Sequence, residues 1–529
     1  MPLWIRQEIQ ALPWALRLMR VGAWAAIVCA LFSGLALANP VTLSAKRGDF
    51  SVSGELRSFD GLYYRVLTDA GPITLRAEAV ECSGSACPAA GTTTGFTMAV
   101  AHSLADVLVP ALIRAFAADL GMSVEVEKSG TQVAFRLSGQ GTQRGGFPIK
   151  LRMMSASETF ADLAAQASDL AIVDRSISEA ELTILSDAGL GNMAEPSQEM
   201  LLALDGLAVA VSPQRRETEV SLDALAEAAA SPEPRWSDLG FGEDAPLALM
   251  LRAQGEDMAR LTAFLGPFAA PVEYRLDASA VARGLRTDQS HLGILPASAL
   301  GATRGLRLKE PCGLGHAPSS AQMAMGRYPW VVPVKTYKPD LRPPQELMKF
   351  VGFLSTDTAA RVVRRAGFAR PSSEFVLDDL AERALAGLRL SAPSTLPRLQ
   401  ALVARLSLAR QIAVSVPART ETGPMRGVQR LALQELARGL RAGDVEASEI
   451  IFVASGPDAA TARVYAQAVI DRLSALAPEH AQGLTDAQIE IDGALLPVAC
   501  QGAPWADWMN ARVDVWLLEP TKGTLRPEN

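Results

Sequence analysis

The sequence predicts a multidomain chain with a small β module, a two-lobed α/β domain and a C-terminal α+β domain, preceded by an export segment. Three observations predict it. The 529 residues exceed what one hydrophobic core supports, since single cores stop growing at about 250–300 residues. The apolar pattern changes period along the chain, from alternation at every second residue before residue 90, to helices and strands in turn from about 93 to 380, to a compact mixed pattern after 411. The composition, 49% hydrophobic and 20% charged with a net charge of −7, excludes a wholly disordered chain and gives no basic excess for nucleic acid.

Residues 1–38 read as a cleaved secretory signal. Arg6, Arg17 and Arg20 precede an uncharged apolar run from Val21 to Ala38, which closes on Ala36-Leu37-Ala38 ahead of Asn39-Pro40. The alternative is an uncleaved anchor, because such a run is nearly long enough to span a membrane. Cleavage leaves four cysteines. Cys82 and Cys87 enclose only four residues, a spacing suited to a small disulfide loop in an oxidising compartment. Without nearby histidines the pair makes a poor metal site. Whether Cys312 and Cys500 meet is open from the sequence.

Residues 39–90 form the β-rich module, with turn signals at Gly54 and at Asp69-Ala70-Gly71-Pro72. Residues 93–380 carry helical periodicity from Leu104 to Leu120 and strands at Leu170–Val173, Leu207–Val211 and Val331–Val334. Residues 381–411, with Ser391-Ala392-Pro393-Ser394 and a short amphipathic helix, read as a linker. Residues 412–519 give strand Ile412–Val416, helix Val428–Leu440, strand Ile450–Ala454, helix Ala459–Leu476 and strands Gln488–Ile491 and Val513–Leu518. Residues 520–529 are a tail.

Catalytic constellations are missing from the sequence. His102, His291, His316 and His480 are scattered without ligand spacing, and no zinc-protease helix, nucleophile elbow or phosphate-binding loop occurs. No catalytic residue, metal or cofactor is expected, and a hydrolase with an unrecognised site is the remaining enzymatic alternative.

The middle segment carries AVAHSLADVLVPALIRAFAADLG, MSASETFADLAAQASDLAIVDRSIS, LALDGLAVAVSP, PRWSDLG, LMLRAQGEDMARLTAFLG, HLGIL and GRYPWVVPV in one order. It resembles the type II periplasmic solute-binding proteins, specifically the phosphate-binding proteins of ABC import systems. The resemblance implies two lobes closing on an oxyanion, with LALDGLAVAVSP and YPWVVPV as the crossover strands. It also implies phosphate or another small anion as ligand, held by Ser103, Ser155 or Ser157, Asp174 and Arg252.

Three departures weaken that site. Glu256-Asp257-Met258 stands where the family has Ser-Gly-Thr, Ala101-His102 replaces a glycine-containing turn, and Glu158 replaces a small residue. Helix N-termini bind anions through unpaired amides, and a resident carboxylate takes those donors and repels a second anion. The electrostatics favour lost phosphate affinity. A working phosphate-binding component of an importer is the alternative.

The C-terminal segment, with IIFVASGPD, AQAVIDRL and GALLPVACQGAPWADWMNARVDVWL, resembles the OmpA-like domain, which binds peptidoglycan. The resemblance implies Asp458 as the residue that holds the stem peptide. The family's arginine position falls on Tyr465, so Arg463 is the nearby substitute; Arg512, in Asn510-Ala511-Arg512-Val513-Asp514-Val515 where the family has Asn-Arg-Arg-Val-Glu-Val, is a further peptidoglycan-binding candidate, or alternatively a strand residue facing solvent. Asp458 alternatively caps the helix beginning at Ala459. The three-part order resembles exported phosphate substrate-binding/OmpA-like proteins of Gram-negative envelopes. It implies a non-enzymatic periplasmic protein at the cell wall or outer membrane, sensing a ligand or serving as a scaffold.

Overall fold

Apolar residues at every second position between residues 40 and 83 give β1 (Pro40–Ala45), β2 (Ser51–Phe59), β3 (Tyr63–Thr68), β4 (Gly71–Arg76) and β5 (Val80–Ser83). They form one antiparallel sheet in the order β4-β3-β2-β1-β5, and Leu43, Leu56, Val66 and Val80 fill its thin core. Gly54, expected to mark a turn, lies inside β2 opposite Val41. A Cβ there would run into the carbonyl of Leu67, so the strand needs glycine where β3 approaches closely. The Cys82–Cys87 disulfide closes the end of the sheet, with 5.8 Å between Cα atoms.

The structure, a computed structural model, describes residues 40–59, 61–88, 95–139, 146–252, 255–376, 379–390, 392–418, 427–493 and 495–518, without the side chains of 40 and 255–257. The expected signal and tail lie outside the described residues. The chain divides into two compact units, one ending at Thr94 and one beginning at Gly95.

The second unit opens with β6 (Phe96–Ala101), β7 (Met122–Ser129), β8 (Gln132–Gly139), β9 (Phe147–Met154), β10 (Leu170–Val173) and β11 (Glu199–Val211). It continues with β12 (Glu219–Ser221), β13 (Ala248–Arg252), β14 (Val272–Arg275), β15 (His291–Pro296), β16 (Arg304–Gly305), β17 (Arg307–Lys309), β18 (Gly315–His316) and β19 (Val331–Tyr337). Except for β12, β17 and β18, which form a small sheet of their own, these strands make one mixed sheet in the order β14-β13-β15-β11-β19-β10-β6-β9-β8-β7, with β16 beside β11.

Each end of that sheet has its own core. Leu112, Phe116 and Phe350 pack on the β6 side, and Leu225, Leu251, Leu261 and Trp330 pack on the β13 side. The antiparallel pair β11 and β19 connects the two ends, from Glu199 opposite Tyr337 to Gly206 opposite Val331. These are the two expected crossover strands. β11 reads EMLLALDGLAVAV and is buried at nearly every position, as a strand covered on both faces must be.

The C-terminal part follows the expected order closely. Its sheet is β20 (Ala409–Pro417), β21 (Ile450–Ser455), β22 (Gln488–Ile491) and β23 (Arg512–Leu518), arranged β20-β23-β21-β22. Side chains along a strand alternate between faces, so Ile450, Phe452 and Ala454 meet the helices Val428–Ala442 and Ala459–Leu476. Ile451 and Val453 face the other way, onto Leu380, Leu399, Leu402 and Leu406. The segment 381–411, expected as a linker, is therefore two helices, Leu380–Leu390 and Leu396–Leu406, plus the first residues of β20. It covers a face that would otherwise be exposed.

The C-terminal sheet is also not separate from the middle domain. Val428 and Leu431 belong to the same apolar cluster as Leu201, Leu204 and Trp330, and a second disulfide joins Cys312 to Cys500. Among the described residues no helix is long and apolar enough to cross a membrane.

Candidate functional site

Three chain segments converge beside the crossover strands. The short helical turn His102–Ala105 follows β6 and presents Ser103. Asp174 follows β10 directly, and Arg260 comes from the helix Gly255–Leu265 at the opposite end of the sheet. Ser103 Oγ donates to Asp174 Oδ2 at 2.9 Å. Arg260 donates from Nη1 to the same oxygen at 3.2 Å and from Nη2 to the Asp174 carbonyl at 2.8 Å.

Asp174 is buried, and its Oδ1 has no hydrogen-bond partner. Burial pushes its carboxyl up, but Arg260, Ser103 and the charge of Arg252 outweigh burial and hold it below the usual carboxylate range. Arg252, at the end of β13, is itself buried.

A second carboxylate stands on β11. Asp205 Oδ2 accepts from Ser298 Oγ at 2.6 Å, and its Oδ1 accepts from the amides of Gly206 at 2.8 Å and Ser298 at 3.1 Å. Burial pushes its carboxyl up to about 6 in spite of these donors. Between the two carboxylates lies a cavity of about 20 Å³ bordered by Ser103, Gly206, Arg260 and Val332. One water needs roughly 10–15 Å³, so no tetrahedral oxyanion fits while Arg260 keeps its place.

Ser155 and Ser157 belong to a different network. Ser155 caps the helix Ala156–Ala164 in a reciprocal capping box: Glu158 N donates to Ser155 Oγ, and the amide and hydroxyl of Ser155 donate to Glu158 Oε2 at 2.9 and 2.8 Å. Glu158 thus occupies the donors an anion would need, and the Ser155 amide lowers its carboxyl. Ser157 accepts from Arg175 Nη2 at 3.0 Å, and Arg175 forks onto Glu181. The side chains of Glu256 and Asp257 lie outside the described residues.

Residues 87–337 match the family described as the PBP superfamily domain. This segment is a periplasmic-binding-protein-like domain. Solved structures to which the chain is similar include an ABC-type phosphate transport receptor from Vibrio cholerae, 15% identical, covering 52% of this chain and 100% of that one at a TM-score of 0.38. They include PstS from Borrelia burgdorferi, 13% identical, covering 52% and 98% at 0.33. The effector-binding domain of a BenM variant is 12% identical, covering 52% and 97% at 0.29. No curated protein matches the chain.

In the binding-protein-like domain the structure brings together Ser103, Asp174 and the charge of Arg252 from the expected set. It leaves Ser155 and Ser157 to surface contacts. Sequence reasoning missed Arg260 and Asp205. Asp205 had a signal, being one carboxylate near the middle of an apolar strand. Arg260 had none, because only the packing of its helix across the cleft aims it at Asp174.

In the C-terminal domain Asp458 is the N-cap of its helix, accepting from Thr461 N at 2.8 Å and Thr461 Oγ1 at 2.9 Å. Arg463 is exposed one turn later. Arg512, a peptidoglycan-binding candidate with a solvent-facing strand residue as the alternative, is buried, so it fits neither expectation. Its Nε donates to both oxygens of Asp514 at 3.1 Å, and its other nitrogens donate to the carbonyls of Met509 and Leu496.

Asp514 also receives Arg327 at 2.8 Å, Arg383 at 3.4 Å and Ser415 Oγ at 2.7 Å. Burial opposes its ionisation, yet the guanidinium groups around it hold the carboxyl far below its ordinary range. Arg512 can face inward because its bonds to Asp514 and to the two carbonyls offset the cost of taking its charge out of water.

Proposed function

We propose that this chain is a non-catalytic protein of the periplasmic envelope whose binding-protein-like fold is held closed by its own side chains. Its role in this reading is sensing or scaffolding at the cell wall, not bulk phosphate uptake. The observation that carries the proposal is the place of Arg260, which fills the cleft and pairs with Asp174. A phosphate would have to expel that guanidinium and then meet two carboxylates, Asp174 and Asp205, with Arg252 as the remaining cation. Like charges at such distances disfavour a further anion.

Titration calorimetry of the full-length protein with inorganic phosphate tests this. The expected result is no binding at micromolar phosphate. A micromolar dissociation constant for the wild type would overturn the proposal and make the chain the binding component of an importer. Asp174 and Asp205, with carboxyls shifted in opposite directions, are the pattern an acid–base hydrolase would show. The small cavity and the full set of donors on Asp205 leave a substrate no access to them.

Attachment to peptidoglycan remains part of the proposal through the C-terminal domain. Asp458 is engaged as a helix cap and Arg512 is internal, so Arg463 is the residue available to a stem peptide. A peptidoglycan pull-down is expected to retain the wild type and to lose most of Arg463→Ala. Equal retention of both removes Arg463 from the reading.

A further inference from the structure

Away from the cleft, the turn Glu310-Pro311-Cys312-Gly313-Leu314-Gly315-His316 gathers a carboxylate, a sulfur and an imidazole within seven residues. The turn is tight. Glu310 N donates to the Leu314 carbonyl at 2.8 Å, Gly313 N donates to the Glu310 carbonyl at 2.9 Å, and Gly313 has φ of +97°, a backbone that favours glycine. Cys500 reaches this turn from the C-terminal domain. One ligand atom each from Glu310, Cys312 and Cys500 lie within 4.8 Å of one another, and Leu314 and Ala386 pack around the sulfurs.

His316 supplies an independent observation. Its Nδ1 is 2.7 Å from the carbonyl oxygen of Arg327. A carbonyl only accepts, so Nδ1 carries the proton and a neutral ring leaves Nε2 with its lone pair. That nitrogen is buried without a hydrogen bond and stands 3.2 Å from Glu310 Oε1. Two facing lone pairs need a proton or a metal cation between them. Glu310 is meanwhile oriented by Trp505 Nε1 and by the amide of Cys500.

We propose that the dithiol form of this protein holds one zinc-type divalent cation on Cys312, Cys500 and Glu310, with the His316 imidazole beside Glu310. With the disulfide intact the sulfurs are bonded to each other and offer no thiolate. A dithiol reductant transfers two electrons and two protons to the Cys312–Cys500 bond, which breaks to two thiols while the reductant becomes a disulfide. The cation then displaces the two thiol protons and forms two metal–thiolate bonds. Two thiolates and a carboxylate are three of the four ligands of a tetrahedral zinc set, and water completes it. His316, held by its Nδ1–H bond to the Arg327 carbonyl, stands against Glu310 as the outer contact that orients a metal-binding group. Either chemical form ties the Glu310–His316 turn to the C-terminal domain, and the inference does not depend on the function of the cleft.

The test uses the full-length protein reduced with a phosphine and titrated with cobalt(II) as the zinc probe. The expected result is one equivalent bound with a sulfur-to-cobalt charge-transfer band, present after reduction and absent in the disulfide form. Cys312→Ser and Cys500→Ser are expected to lose the band, and His316→Ala to weaken binding by roughly tenfold or more. The double variant Cys82→Ser/Cys87→Ser is expected to keep both band and affinity. Circular dichroism of each variant distinguishes a lost site from a lost fold. A correctly folded reduced wild type without the band, or a band that survives Cys312→Ser, overturns the proposal.

Discussion

Asp174 and Asp205 border one cleft and respond to burial differently because of what faces them. Asp174 has Arg260 in contact and the charge of Arg252 nearby, so it stays ionised. Among the described residues Asp205 has only neutral donors, Ser298 and the Gly206 amide, and burial prevails. The folded Asp205 holds its proton more tightly than the unfolded chain does. Its cost to stability is therefore absent below about pH 3.8 and grows as the pH rises to about 6. Asp205→Asn keeps an oxygen for the Gly206 amide and removes the titration. Relative to wild type, the variant is expected to gain roughly 2–3 kcal/mol between pH 4 and pH 7. Urea unfolding at both pH values measures it, and a constant difference would show that Asp205 does not titrate in this range. Arg260 illustrates what single residues leave unsaid, since an arginine on an amphipathic helix reads as solvated until the helix is placed across a cleft.

At the scale of elements, the period-two and period-3.6 patterns located most of the C-terminal strands and helices. They misassigned the segment after residue 380. Its Ser-Ala-Pro-Ser interruption is a real break between two helices, but Leu399, Leu402 and Leu406 recur at helical spacing and are buried against Ile451, Val453 and Trp516. Leu402→Ala is expected to cost about 2–5 kcal/mol in unfolding free energy, as for other buried leucines. A change below about 0.5 kcal/mol, as at an exposed position, would return this segment to the status of a linker. The serine loops show the opposite case. Ser155 and Glu158 stand three apart ahead of an apolar run, and that spacing alone predicts a capping box.

For the whole molecule, the notable departure is that the C-terminal sheet is built into the middle domain. Arg327 from the middle domain reaches Asp379 and Asp514 at 2.8 Å each, and Arg383 joins the same pair. Buried charges of this kind tolerate no loss of a partner, because the group left behind keeps its desolvation cost. The helix Val428–Ala442 supplies apolar residues to the core beside the crossover strand β11. Arg438, on the same helix, pairs with Asp357 at 2.5 Å. The C-terminal domain thereby touches both ends of the sheet, and any opening of the cleft has to shear these contacts.

Local spacing and periodicity were enough for the order of the C-terminal elements and the Cys82–Cys87 loop, while the two crossover strands and the carboxylate at Glu158 were legible through the family resemblance. Tertiary structure decided the rest. It paired Cys312 with Cys500 across 188 residues, turned Arg512 inward to Asp514 and placed Arg260 in the cleft. Those outcomes depend on which distant surfaces pack together, and local patterning carries no record of where a long side chain ends when its helix is docked.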